Sequence, residues 1–90
     1  VIQERHLFIS GSVQGVGFRA AVKKCALIYG IKGFAKNLPD GRVEICAQGR
    51  ADQIEAFSHS IQEKPGLGSI SSIESKSGSL EAVYSDFKIL

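Results

Sequence analysis

Ninety residues suffice for one domain with a single buried core and leave little room for a second lobe. Hydrophobic residues are 43% and charged ones 22%, as in ordinary soluble globular proteins, and no apolar run approaches the roughly 20 residues of a membrane span. Eleven Lys and Arg against nine Asp and Glu leave a net charge of +2, spread along the chain, which is too little for a nucleic-acid footprint.

No signal-peptide pattern or lipidation motif stands at either end, so a cytoplasmic protein is expected. The sequence starts at Val1 and contains no Met, and a few native residues are expected to be missing before it. The adjacent Lys23 and Lys24 read as a solvated helical face.

Residues Glu4 to Val13 alternate, with Leu7, Ile9 and Val13 on one face and His6, Phe8 and Ser10 on the other. This pattern predicts the first strand. Phe8 suits packing on an open sheet face better than base stacking, because the strand from Arg42 to Gln48 offers no companion aromatic. His6 reads as a surface residue, with no evident partner.

Gly15 and Gly17 interrupt the pattern. Without a Cβ they admit positive φ, which turns successive amide N–H groups towards one point and makes a cradle for an anion. The run from Phe18 to Tyr29 lacks Gly and Pro and has helical periodicity, so the loop is expected to open into a helix with its N-terminal N–H groups facing the same point. Arg19 falls in the first helical turn, where a cation opposes the macrodipole. A bound phosphate or carboxylate would compensate for it. From spacing alone, a glycine turn with Arg19 reaching into solvent accounts for the pattern equally well.

Gly30 fits a left-handed helix cap. Ile31 to Lys36 reads as the second strand, Asn37-Leu38-Pro39-Asp40-Gly41 as a turn, and Arg42 to Gln48 as the returning strand. Gly33 suits close backbone approach and Gly41 the positive φ of the hairpin. Phe34 suits either sheet packing or a border to a substrate. Asn37 suits a plain turn start.

Ile54, Phe57 and Ile61 predict a second helix over about Ala51 to Glu63, stopped by Pro65, with Asp52 and Glu55 towards its start and Lys64 at its end. Residues Pro65 to Ser72 read as loop, Ile73 to Lys76 as a weak strand, Ser77-Gly78-Ser79 as a turn or mobile loop, and Phe87 to Leu90 as a short final strand. Cys25 faces the core from the first helix while Cys46 lies on the opposite sheet face, which predicts two free thiols and no disulfide or zinc pair.

The order β, α, β, β, α, β plus a short C-terminal strand predicts an α+β fold, a ferredoxin-like βαββαβ sandwich with an antiparallel sheet and both helices on one face. Residues 1–90 form a single domain in this reading.

The segments GSVQGVGFR at Gly11 to Arg19 and GFAKNLPDGRV at Gly33 to Val43 together closely resemble the two signature segments of the acylphosphatase family. The resemblance implies hydrolysis of an acyl phosphate to a carboxylate and inorganic phosphate, with no metal and no cofactor. It implies that Gln14, Gly15, Val16, Gly17, Phe18 and Arg19 hold the phosphoryl group and that Asn37 positions the attacking water. The guanidinium and fixed N–H donors suit charge spread over equatorial oxygens, and Asn can orient water but cannot act as a base. The substrate's own phosphate is then expected to take the proton.

The partner implied is a small molecule, neither nucleic acid nor membrane, met by a monomer. The alternatives are a non-catalytic anion-binding module and the acylphosphatase-like domain of larger carbamoyltransferases. In the latter group Pro usually follows the Arg, whereas here Ala20 does.

Overall fold

The computed structural model describes residues 1–63 and 68–90. The elements are β1 (Gln3–Ser12), α1 (Phe18–Tyr29), β2 (Lys32–Asn37), β3 (Val43–Gly49), α2 (Ala51–Gln62), β4 (Ser69–Ser77) and β5 (Phe87–Ile89). The strands form one sheet in the order β4-β1-β3-β2-β5. The β1, β2, β3 and β4 pairings are antiparallel, and β5 lies parallel to β2. The sheet is therefore mixed at this edge, a correction to the all-antiparallel expectation. A chain that returns from β4 at the far edge reaches β2 in that sense.

Alternation decides which strand face is buried. Leu7, Ile9, Val43, Ile45, Ala47 and Ala35 point to one side, where they meet Phe18, Val22, Cys25 and Ala26 of α1 and Ile54, Phe57 and Ile61 of α2. Burial of this apolar face is the main source of stability, at about 25 cal/mol per Å² removed from water. Phe57 and Phe87 meet edge to face at 6.3 Å between centroids, so β5 is tied into the same core. α1 ends as its sequence foretells: Gly30 is left-handed, with φ 71°, and donates its N–H to Ala26 O. α2 begins with Asp52 in its first turn, and Gln53 Oε1 accepts the Arg50 backbone N–H at 2.9 Å. Pro65 and Lys64, expected to end that helix, lie outside the described residues.

β4 is longer than its sequence suggests. Ser69 to Ser72 belong to the strand rather than to a loop, because their backbones pair with Ser10, Gly11 and Ser12 across a register shift at Ser10/Gly11. Ladder hydrogen bonds override weak side-chain propensity here. Gly33 has φ 137°, and a Cβ there would collide with Cys46 O on β3. Close strand approach requires glycine at that position.

The register explains the position of the site. Ile9 pairs with Val43, and Val43 with Asn37. The end of β1, the β2–β3 turn and the end of β5, where Ala35 pairs with Ile89, therefore share one end of the sheet.

Candidate active site at one end of the sheet

The β1–α1 loop carries the expected backbone. Gly15 has φ 76° and Gly17 φ 78°, both left-handed, and a Cβ at either would meet no atom of the described residues within 4 Å. Conformation alone, not crowding, demands glycine at these two positions. Gly17 is the N-cap of α1, no side chain among the described residues caps this helix, and its first turn holds no acidic residue. The first N–H groups and the positive end of the macrodipole are thus left to an incoming anion. A pocket of about 160 Å³ is lined by Val13, Gly15, Gly17, Phe18, Arg19, Ala20 and Ile89.

Arg19 is half-buried at this pocket and donates from a terminal guanidinium nitrogen to the Leu90 main-chain oxygen at 2.7 Å. A guanidinium has five N–H donors in a fixed fork, so one anchoring bond leaves enough to grip two oxygens of a ligand. Leu90 is the residue that sequence reasoning missed. The contact spans 71 positions and depends on β5 docking beside β2, for which no local signal exists.

Gln14 does not aim its side chain into the cradle. Its amide nitrogen donates to Leu38 O at 2.8 Å and to Arg42 O at 3.0 Å, clamping the loop to the β2–β3 turn. Within that turn Gly41, at φ 96°, donates its N–H to Leu38 O, and the Leu38 N–H goes to Arg42 O. Asn37, the last residue of β2, is exposed immediately before this clamped turn. The Arg42 N–H and guanidinium bind the Asp40 carboxylate, which holds that carboxyl below its usual range. Arg42 also lies 5.1 Å from the centre of the Phe8 ring, so its charge is engaged away from the loop. Phe34 packs edge to face on Tyr84, at 5.9 Å, on the open side of the sheet.

His6 is not the partnerless surface residue that its sequence suggests. One ring nitrogen lies 3.1 Å from Glu44 Oε2 and the other 2.8 Å from Glu4 Oε2. Burial lowers its pKa, but the hydrogen bonds and charges of the two carboxylates outweigh this and raise it. Strand pairing creates the cluster: Glu44 sits diagonally across β3, and Glu4 shares its face two residues along β1. His59 is exposed on α2 beside Glu63. Neither histidine lines the loop pocket.

Cys25 is buried in the core and Cys46 on the opposite face, both as free thiols, as expected. No helix among the described residues is long and apolar enough to cross a membrane.

Comparison with known proteins agrees with this geometry. The acylphosphatase family model matches residues 5–89. An acylphosphatase of Archaeoglobus fulgidus is 40% identical over 83 residues, 92% of each chain, and one of Thermus thermophilus is 46% identical over 66 residues, 73% of this chain and 75% of that one. The crystal structure of acylphosphatase from Bacillus subtilis superposes with a TM-score of 0.90 at 31% identity, covering 100% of this chain and 99% of that one. Full-length HypF also superposes, with a TM-score of 0.88 at 36% identity, although this chain spans only 12% of it. With matches in sequence over both signature segments and in structure over the whole sheet, the chain belongs to the acylphosphatase family.

Proposed function

We propose that the chain hydrolyses acyl phosphates to a carboxylate and inorganic phosphate, as a single chain in the cytoplasm, with neither metal nor cofactor. The backbone N–H groups of Gln14 to Phe18 and the Arg19 guanidinium hold the phosphoryl group, and Asn37 orients the attacking water. The water oxygen bonds to phosphorus as the bond to the acyl oxygen breaks. The carboxylate leaves with that bonding pair, and the water proton passes to a phosphate oxygen. Catalysis then consists of positioning and of charge stabilisation on the equatorial oxygens, where a fixed cation and preorganised N–H donors act most strongly.

One observation supports this reading: Gln14 ties the glycine loop to the turn beside Asn37, so the loop and Asn37 lie at the same end of the sheet. Supporting it, the helix N-terminus has no side-chain cap of its own.

The test is phosphate release from acetyl or benzoyl phosphate in the presence of chelator, comparing the wild-type chain with Asn37→Ala. Turnover that survives chelation and falls about 100-fold or more in the variant is expected, in line with loss of one transition-state contact. No turnover by the folded wild-type chain would leave the loop as an anion-binding module.

A further inference from the structure

The open face of the sheet carries a second constellation, which the phosphate site does not use. Glu4, His6 and Cys46 bring a carboxylate oxygen, an imidazole nitrogen and a thiol sulfur within 4.8 Å of one another. Cys46 is buried, and the His6 and Glu4 side chains are only 25% and 9% exposed. Chemically mixed donors of this kind, borderline to soft, match the ligand preference of zinc rather than of magnesium or calcium.

Each of two donors also has a supporting group. Glu44 Oε2 lies on the His6 Nδ1 side, so a neutral ring that donates Nδ1–H to Glu44 presents its Nε2 lone pair towards Glu4. That is the carboxylate–histidine arrangement that orients imidazole ligands on metals. Gln48, itself 2% exposed, donates to Glu4 Oε1 at 2.7 Å and leaves Oε2 facing His6. The same Gln48 amide donates to Ala82 O and accepts from the Tyr84 N–H, which fixes it against the C-terminal segment.

Gly78 passes close over the cluster, and a Cβ there would come within 2.6 and 2.7 Å of His6 Cδ2 and Nε2, so its backbone covers the His6 and Glu4 donors tightly.

We propose that Glu4, His6 and Cys46 bind one zinc ion through Glu4 Oε2, His6 Nε2 and Cys46 Sγ, with solvent as the fourth ligand. With bonds of about 2.0 to 2.3 Å, donors of a tetrahedral site stand roughly 3.5 Å apart, so Glu4 Oε2 and His6 Nε2, now 2.8 Å apart, must open to admit the ion, while donors further apart, all within 4.8 Å, draw in. Binding replaces the Cys46 S–H bond with a metal–sulfur bond and releases that proton to solvent, together with the Nε2 proton wherever the ring carries one. The ion would join β1 to β3 beneath the segment from Gly78 to Tyr84. It would therefore act on stability and not on acyl phosphate chemistry.

The test is titration of the full chain with Co(II), read by the thiolate-to-metal charge-transfer band, followed by displacement with Zn(II). Saturation at one equivalent is expected in the wild type and in Cys25→Ser, with no band in Cys46→Ser and binding weakened about 10- to 100-fold in Glu44→Gln. Circular dichroism verifies that each variant is folded, and the wild-type and Cys25→Ser titrations stand independently of the Cys46 variant. No band in the wild type, loss of the band in Cys25→Ser, its survival in Cys46→Ser, or unchanged affinity in folded Glu44→Gln would overturn the proposal.

Discussion

Gln14 donates to Leu38 O at 2.8 Å, and by this bond and its neighbour to Arg42 O the glycine loop is fastened to the turn beside Asn37. The side chain bridges the two signature segments. Gln14→Ala is expected to cost about 1 to 3 kcal/mol of stability, since two carbonyls lose a donor. It is also expected to lower kcat more than it raises KM, because the loop and the water position lose their common register. Steady-state kinetics beside urea unfolding checks this, and a stable variant with normal kcat would remove Gln14 from the positioning role.

Arg19 presents a different balance. Its Leu90 contact orients the guanidinium, and Arg19 also lines the loop pocket. Arg19→Ala is expected to raise the barrier by about 3 kcal/mol or more, comparable to deleting an oxyanion donor. Arg19→Lys keeps the charge but loses the fork, so it is expected to recover only part of the rate. Equal recovery by Lys would mean that charge alone suffices.

Gly33 is a stability position. Gly33→Ala forces a Cβ against Cys46 O and retains φ 137°, a conformation that alanine resists. A loss of at least about 2 kcal/mol is expected from strain and strand separation. The shift in urea midpoint measures it.

Acidity and rate are expected to separate. With no titrating base among the described residues lining the loop pocket, kcat is expected to stay nearly flat between about pH 6 and 8. Stability of the metal-free chain behaves otherwise. The His6 pKa is raised above its ordinary 6.5, after burial is outweighed by Glu4 and Glu44, so its stabilisation is fully present below 6.5 and is lost as pH rises through the folded-state value. Burial raises the Glu4 pKa, but hydrogen bonds from Gln48 and His6 lower it below its ordinary 4.5, so that stabilisation is present above 4.5 and is lost as pH falls through the folded-state value. The two contributions are complete together from 4.5 to 6.5. Urea unfolding with chelator across pH, for the wild type and His6→Gln, tests this, and an unchanged alkaline slope in the variant would contradict it.

The sequence by itself determined the elements that depend on local rules. Alternation at Leu7, Ile9 and Val13 buries one strand face, the apolar stripe from Phe18 makes α1, Gly30 caps it, and Gly15 and Gly17 supply the left-handed loop before Arg19. These features follow from period, sterics and backbone freedom within a few residues, so they are legible in order along the chain. Tertiary structure alone decided the long-range contacts. Pairing drew the weak segment from Ser69 to Ser72 into β4, and β5 lay parallel to β2 so that Leu90 reached Arg19. Gln14 turned to the hairpin, and His6 gained two carboxylates because the β1–β3 register set Glu44 beside it. Such contacts arise when strands distant in sequence share one hydrogen-bonded ladder, and that register belongs to the assembled sheet rather than to any one segment.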